Sequence, residues 1–321
     1  MIDSIKEFLG EDWKRTEEML SGSLSSDVAL LSDINGTMLS HKGKQLRPML
    51  TLLCARCCGA AGEDSIRFAA AAEMLHNATL MHDDVADDSM QRRGIPTLLS
   101  VLGASPAVLV GDFWLARTMN VIMGARCRDE VAPLFAKTMT DLAEGEMLQL
   151  EKAALADTEM EDYLRIIHCK TASLFVAACL SGAISTGAPE EYRNAVREYA
   201  EALGLAFQIK DDILDYVGSE ELGKPRGVDI KEKKITLPLL GAMKGSPREK
   251  QIRQMVKTID AHPENVGEIT LFVRENDGVA RAAEELDGYI DKALEALGRL
   301  PECPEREMLA SLARFNALRE V

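Results

Sequence analysis

The sequence lacks an excess of positive charge. Lys and Arg total 37 against 52 Asp and Glu, which gives a net charge of −15, and the acidic residues are spread along the chain. Proteins that bind nucleic acids present basic surfaces to the phosphates, so we expect no nucleic acid partner. A chain of this charge would need local groups of basic residues to bind an anionic substrate, and the sequence contains such groups.

A framework of paired cysteines is also missing. The seven cysteines are irregularly spaced, at positions 54, 57, 58, 127, 169, 179 and 303. An odd number without regular spacing is typical of reduced thiols in the cytoplasm, and we predict a cytoplasmic protein. The group Cys54, Cys57 and Cys58 is similar to half of a zinc site, but no second CxxC or nearby His pair completes it, so helix packing is favoured.

The sequence shows neither the pattern of a signal peptide nor a long apolar run. Residues 1–7 carry acid and lack the basic-then-apolar order of a signal peptide. No uninterrupted apolar run reaches the ~18 residues that a membrane-crossing helix needs. The sequence therefore predicts no membrane span.

Strand-like alternation is scarce, whereas apolar residues recur at three- and four-residue intervals in almost every segment. With 321 residues and 46% hydrophobic content, the chain can bury a large core. No repeat, linker or shift in composition divides it. We predict a single all-α domain, residues 1–321, with helices packed as a bundle. The predicted helices cover about 2–20, 26–38, 48 onwards, 63–81, 105–123, 129–152, 159–186, 190–217, 235–243, 247–258, 265–274, 276–298 and 304–319.

Two acidic clusters share the pattern D-D-x-x-D, with aspartates at 83, 84 and 87 and at 211, 212 and 215. On a helix the first and last aspartates lie one turn apart on one face, and the middle one is turned about 100° away. Like charges at this spacing repel by a few tenths of a kcal/mol, so the two clusters predict bound cations. Mg²⁺ accepts one or two carboxylates and completes its shell with water and phosphate oxygens. The pattern therefore indicates a diphosphate ligand.

Basic and polar residues accompany both clusters. They are Gly43-Lys44-x-x-Arg47-Pro48, His76, Arg92-Arg93-Gly94, Gly111-Asp112-Phe113, Lys170-Thr171, Gln208, Gly223-Lys224 and Lys234-x-Thr236-Leu237-Pro238. In this order, and over nearly the whole chain, these residues resemble the trans-isoprenyl diphosphate synthase (polyprenyl synthetase) family. The two-residue spacing within the first cluster resembles its long-chain branch. Two glycines of the family pattern are replaced here, by Lys42 and Lys233.

The resemblance implies an all-α isoprenoid synthase fold around a central substrate cavity. It also implies a transferase that ionises an allylic diphosphate, condenses the resulting cation with isopentenyl diphosphate and eliminates a proton. No side chain is assigned as general base, because the departing diphosphate can accept that proton. A homodimer is implied, with the helix near residues 111–123 as the contact.

Individual roles follow from the same resemblance. Mg²⁺ would be held by Asp83, Asp84, Asp87, Asp211, Asp212 and Asp215. The catalytic set is Asp83, Asp87, Asp211, Lys170 and Lys234. The allylic diphosphate would be contacted by Arg92, Lys170, Thr171, Gln208, Lys224 and Lys234, and isopentenyl diphosphate by Lys44, Arg47, His76 and Arg93.

The length of the product is predicted from residues just before the first cluster. Ala78 and Thr79 stand five and four positions before Asp83, where short-chain members of the family typically carry Phe or Tyr. This favours a long all-trans product over one of farnesyl or geranylgeranyl length. The small residues Ala69–Ala72 extend the open path, and they could instead let two helices approach closely.

Other interpretations stay open. Arg92 and Arg93 could form surface ion pairs of little energy, His76 could be structural, and Lys170, Thr171 and Gln208 could be accommodated by packing. For the whole chain the alternatives are a terpene cyclase, a non-catalytic subunit of a heteromeric synthase and an acidic Ca²⁺-binding protein. A cyclase usually lacks the second D-D-x-x-D, and a non-catalytic subunit tends to lose one or both clusters.

Overall fold

A computed structural model describes residues 1–41, 43–92, 94–217 and 227–318. Arg93 and Lys224, two of the predicted substrate contacts, lie outside the described residues. The prediction of an all-α fold is confirmed. In the described ranges, strands are limited to the short antiparallel pair β1 (Gln91–Arg92) and β2 (Ile95–Pro96).

The chain divides into two compact units. Unit 1 comprises residues 1–136, 177–196 and 300–309, and unit 2 comprises residues 137–176, 197–299 and 310–321. The division falls within four helices, α8 (Arg128–Leu155), α10 (Ser173–Ser185), α11 (Glu190–Val217) and α17 (Pro304–Leu318). The prediction that residues 1–321 form one domain stays a prediction.

Unit 1 is built around one long helix, α5 (Glu63–Ala86), which packs against α2 (Glu11–Ser23), α4 (Leu46–Cys58) and α7 (Ala104–Met123). The centre of α5 is Phe68 followed by Ala69–Ala72, all without exposed surface. The complete helices of this unit are α1 (Ile2–Leu9), α2 (Glu11–Ser23), α3 (Ala29–Ser40), α4 (Leu46–Cys58), α5 (Glu63–Ala86), α6 (Leu98–Leu102) and α7 (Ala104–Met123).

The helix predicted for residues 2–20 is broken in the structure at Gly10. This residue has φ of +53°, a left-handed conformation that glycine adopts without steric cost. Its N–H closes the last turn of α1 on the carbonyl of Lys6. The apolar periodicity was compatible with one helix or two, so the break depends on this single residue.

Unit 2 has α13 (Leu237–Met243) in its core. This helix is buried along its whole length and packs against α15 (Asn265–Glu275) and α16 (Gly278–Leu297). The complete helices of this unit are α9 (Met160–Ile167), α12 (Val228–Lys231), α13 (Leu237–Met243), α14 (Glu249–Lys257), α15 (Asn265–Glu275) and α16 (Gly278–Leu297).

A π-helical turn, His168–Ala172, separates α9 from α10 within the helix predicted for residues 159–186. In this turn the N–H of Ser173 donates to the carbonyl of His168. Single π-helical turns are rare and occur frequently at functional sites. This one contains Lys170 and Thr171, which are both predicted substrate contacts.

One stretch of the described chain, Met160–Ser185, is long and apolar enough to cross a membrane by length and composition. An 18-residue window within it has a mean hydropathy of 1.4, but 89% of that window is buried within the protein. Core helices of folded proteins have the same property, so the stretch is weak support for a membrane span.

Candidate active site

The first acidic cluster lies at the C-terminal end of α5, in unit 1. The N–H of Asp87 donates to the carbonyl of Asp83 at 2.8 Å, so the helical turn continues through the cluster and these two aspartates share a face. Asp88 then adopts a left-handed conformation, with φ of +49°. The N–H of Ser89 donates to the carbonyl of Asp84 at 2.9 Å, which completes a Schellman motif. The chain therefore leaves the helix directly after the cluster.

The middle aspartate of this cluster differs from its neighbours. The Asp84 side chain is only 11% exposed and accepts a hydrogen bond from Nε of Arg92 at 2.7 Å. Burial raises the pKa of Asp84, while Arg92 acts in the opposite direction. Asp83 is half-buried and Asp87 is exposed. The two aspartates that share a face are thus the more accessible ones, and Asp84 is held by Arg92.

Lys44 and Arg47 lie at the start of α4, also in unit 1. Gln45, between them, caps the helix in a left-handed conformation with φ of +54°. Arg47 falls in the first turn, where Pro48 is accommodated as predicted. The N-terminus of a helix carries a partial positive charge and unsatisfied N–H groups. The basic side chains of Lys44 and Arg47 at this N-terminus are therefore chemically suited to bind a phosphate group.

His76 precedes Asp83 by two turns on the same face of α5. It is half-buried, and its carbonyl accepts a hydrogen bond from Oγ1 of Thr79 at 2.9 Å. Ala78 has no exposed surface, like Ala69–Ala72. This lack of exposure fits both explanations of the small residues, close helix packing and an enclosed path for the product. A role in product length stays a prediction.

The second acidic cluster lies in the last two turns of α11, in unit 2. Asp212 is 4% exposed, and both of its carboxylate oxygens accept hydrogen bonds. The donors are the hydroxyl of Tyr163 at 2.7 Å and Nε2 of Gln208 at 2.9 Å. Burial raises the pKa of Asp212 to about 7. As in the first cluster, the middle aspartate is buried and hydrogen-bonded, while Asp211 is half-buried.

Thr171 and Gln208 belong to the same hydrogen-bond chain. Oγ1 of Thr171 donates to Oε1 of Gln208 at 2.8 Å, and Gln208 in turn donates to Asp212. The π-helical turn packs closely against α11, because a Cβ added to Gly204 would lie 2.5 Å from Cα of Ala172. The two residues predicted to contact substrate are thus connected to the acidic cluster. Lys170 of the same turn forms an ion pair with Glu146 of α8.

The last aspartate of the second cluster has a different environment from Asp87. The Asp215 carboxylate accepts hydrogen bonds from the N–H groups of Val228 at 3.0 Å and Asp229 at 3.3 Å. These are the first residues of α12, so Asp215 caps that helix. Burial raises the pKa of Asp215, and these two backbone hydrogen bonds act in the opposite direction.

Lys234 lies beside the second cluster. Its positive charge acts to lower the pKa values of Asp212, Asp215 and Asp229, against the raising effect of burial on each. The N–H of Lys234 donates to the carbonyl of Asp229 at 2.8 Å, and its ammonium group contacts Glu232.

Two residues of this region had no predicted role. Asp229 is half-buried near Asp212 and Asp215, and desolvation followed by these two charges raises its pKa well above the usual value. It could have been suspected as an acidic residue between two basic segments. Tyr163 stands 49 positions before its partner Asp212, and a single tyrosine in an amphipathic helix carries no signal of that contact.

In the described part of the chain, no group of three or more His, Cys, Asp or Glu side chains is gathered into a ready metal cluster. The atoms that both acidic clusters offer to a metal ion are carboxylate oxygens, which suit a hard divalent cation. Mg²⁺ commonly takes only one or two protein carboxylates together with water and phosphate oxygens. The residues present fit such a cation.

Comparisons with known proteins agree with these features. The polyprenyl synthetase family matches residues 28–273. The chain is 36% identical to octaprenyl diphosphate synthase of Escherichia coli (strain K12) over 99% of both chains. A crystal structure of a decaprenyl diphosphate synthase from Rhodobacter capsulatus matches with a TM-score of 0.93 and 35% identity over 100% of both chains. A polyprenyl synthase from Caulobacter crescentus CB15, complexed with calcium and isoprenyl diphosphate, matches with a TM-score of 0.90 and 34% identity, covering 100% of this chain and 98% of that one.

The chain therefore belongs to the polyprenyl synthetase family. The predicted resemblance to this family and to its long-chain branch is confirmed. The protein is a transferase, and its chemistry is that of a chain-elongating prenyltransferase.

Proposed function

We propose that this protein condenses isopentenyl diphosphate with an allylic diphosphate, using Mg²⁺, to make a long all-trans polyprenyl diphosphate in the cytoplasm. One observation supports the proposal most directly. In each acidic cluster the middle aspartate is buried and hydrogen-bonded, whereas the first is more accessible. This arrangement suits clusters in which the middle carboxylate is held in place by its neighbours and the more accessible carboxylate binds a cation.

Asp83, Asp87 and Asp211 are proposed to bind the metal ions. When bound, Mg²⁺ would neutralise the charge that grows on the leaving diphosphate. Asp84 and Asp212 would orient the clusters through Arg92, Tyr163 and Gln208, as partners of metal-binding residues commonly do. Asp215 would join them as a ligand or support, since its carboxylate is already committed to α12.

The allylic diphosphate is proposed to be bound by Arg92, Lys170, Thr171, Gln208, Lys224 and Lys234. Lys170 and Lys234 are paired with Glu146 and Glu232 in the structure. Both ammonium groups would therefore exchange a carboxylate for phosphate oxygens on binding. The isopentenyl diphosphate would be bound by Lys44, Arg47, His76 and Arg93, where the guanidinium groups provide paired donors for phosphate oxygens.

The protein is proposed to act as a homodimer. Helix α7 exposes the large apolar residues Leu109 (64%) and Met123 (51%). Large apolar side chains that are exposed together along one helix, rather than singly, mark a surface suited to a protein contact. The adjacent helix α6 adds Val101, which is 65% exposed.

The reaction is tested with purified protein, farnesyl diphosphate, radiolabelled isopentenyl diphosphate and Mg²⁺. We expect pyrophosphate release that requires both substrates. Release from the allylic substrate alone would indicate a cyclase. Absence of release would indicate a binding protein or a non-catalytic subunit.

The acidic clusters are tested by Asp83→Asn and Asp211→Asn. Each substitution should lower turnover about 100-fold or more, because a preorganised charge that acts in the transition state is lost. Asp88→Asn is the matched control, since it removes a neighbouring charge at a left-handed position that Asn tolerates. Near-normal turnover in either cluster variant, with normal folding, would contradict the assigned roles.

Product length is tested by Ala78→Phe and Thr79→Phe, with products resolved by mass spectrometry. Either aromatic ring should shorten the product if the growing chain passes this part of α5. Ala154→Phe adds the same bulk at an exposed position of α8 and should leave the length unchanged. Ala78 is fully packed, so thermal melting must accompany the assay. Unchanged products from folded variants would refute the role of these residues.

A further inference from the structure

Two cysteines from distant parts of the sequence meet in unit 1. Cys57 lies in the last turn of α4, and Cys303 directly precedes α17. The Sγ of Cys303 donates to the Sγ of Cys57 at a separation of 3.4 Å. Neither sulfur has a role in the prenyl transfer proposed above.

The two sulfurs differ in their access to solvent. Cys57 is 4% exposed, whereas Cys303 is half-buried. Burial, followed by the contact with Cys303, raises the pKa of Cys57 far above its usual value. The neighbouring Cys58 is half-buried, and burial raises its pKa to about 12. A reagent from solvent would therefore react first at Cys303, because Cys57 is nearly inaccessible and the raised pKa values of Cys57 and Cys58 favour their protonated forms over the nucleophilic thiolates.

We propose that Cys57 and Cys303 form an oxidisable dithiol, a modification site at which a small-molecule disulfide such as oxidised glutathione creates a Cys57–Cys303 disulfide. The bond length of a disulfide is about 2.05 Å, so the sulfurs must approach by roughly 1.4 Å. The bond would connect the end of α4 to the start of α17.

The proposed chemistry is two successive thiol–disulfide exchanges. The thiolate of Cys303 attacks one sulfur of oxidised glutathione, a mixed disulfide forms, and one glutathione thiolate leaves. Cys57 then loses its proton and attacks Sγ of Cys303, which releases the second glutathione thiolate. The two cysteines lose two electrons and two protons in total. The oxidised glutathione gains them and becomes two molecules of reduced glutathione.

The protein contains an internal comparison for this pair. Cys54 and Cys179 also contact each other through their thiols, but both are completely buried. A reagent from solvent has no access to either sulfur. This second pair should therefore stay reduced under conditions that oxidise the first.

The test treats reduced, folded protein with oxidised glutathione, alkylates the remaining thiols and analyses tryptic peptides by mass spectrometry. We expect one crosslinked species that joins the peptide following Arg56 to the peptide containing Cys303, with dithiothreitol reversing the link. The first of these peptides contains both Cys57 and Cys58, so single serine variants are needed to assign the bond.

Cys58→Ser should retain the crosslink, and Cys303→Ser should abolish it. Cys57→Ser should accumulate the mixed disulfide at Cys303, because the second exchange is blocked. Circular dichroism spectra confirm that each variant is folded. The proposal is overturned if Cys58→Ser removes the link, if the wild type stops at the mixed disulfide, or if the folded protein forms no crosslink.

Discussion

At the scale of single residues, the aspartates of one cluster have unequal environments. Spacing alone predicted that Asp83 and Asp87 share a face, and the structure agrees. It could not predict that Asp84 and Asp212 would be buried, because burial depends on partners such as Arg92 and Tyr163 that other elements bring close. Sequence patterns thus identified the acidic residues, and tertiary contacts distinguish them.

Lys233 occupies a position where the family pattern has glycine. The φ of this residue is +59°, a left-handed conformation that glycine adopts without steric cost, which explains why glycine suits the position. A side chain in the left-handed region costs about 1–2 kcal/mol, partly offset by the greater chain entropy of an unfolded glycine. We expect Lys233→Gly to stabilise the protein by roughly 0.5–1 kcal/mol in denaturant unfolding.

Lys233 also pairs with Asp260, whose side chain is 72% exposed, and an ion pair this accessible contributes little. Asp260→Ala removes that pair without changing the backbone at position 233. A Lys233→Gly protein less stable than Asp260→Ala would show that the backbone strain is unimportant.

At the scale of elements, the long helices were predictable and their irregularities were not. The predicted helix 190–217 matches α11 to the residue, because its apolar stripe is continuous. By contrast, nothing in the composition of residues 159–186 distinguishes a π-helical turn from an ordinary one. The short α6 and α12 were also missed, because four or five residues do not establish a periodicity.

The close contact between this π-helical turn and α11 is tested by Gly204→Ala. The added Cβ would lie 2.5 Å from Cα of Ala172, in contact with backbone that has little freedom to move. Overpacking of this kind typically costs about 1–3 kcal/mol. We expect a lower unfolding midpoint, together with weaker allylic substrate binding, because Thr171 and Gln208 would be displaced.

Gly288→Ala provides the control for this substitution. Gly288 lies within α16 of the same unit, and a Cβ there would have no neighbour within 4 Å. It should be neutral or stabilise by up to ~1 kcal/mol through helix propensity. Equal midpoints for the two alanine variants would mean that the contact at Gly204 is not tight.

At the scale of the whole molecule, the proposed homodimer is tested by Leu109→Glu. Placing a charge in an apolar contact leaves it desolvated, so the dimer should dissociate. Sedimentation velocity should then show the mass of one chain instead of two. Leu271→Glu is the matched control, since Leu271 is 53% exposed on α15. A dimer that survives Leu109→Glu would exclude this part of α7 as the contact.

The division into two compact units has an optical consequence. Both tryptophans of the chain belong to unit 1, and Trp114 is almost fully buried and donates to Oδ1 of Asn35 at 2.9 Å. Four of the five tyrosines, at positions 163, 199, 216 and 289, belong to unit 2. Emission excited at the red edge of indole absorption thus follows the melting of one unit only, while phenol absorbance mainly follows the other. Whether the units melt together can be measured on the unlabelled protein.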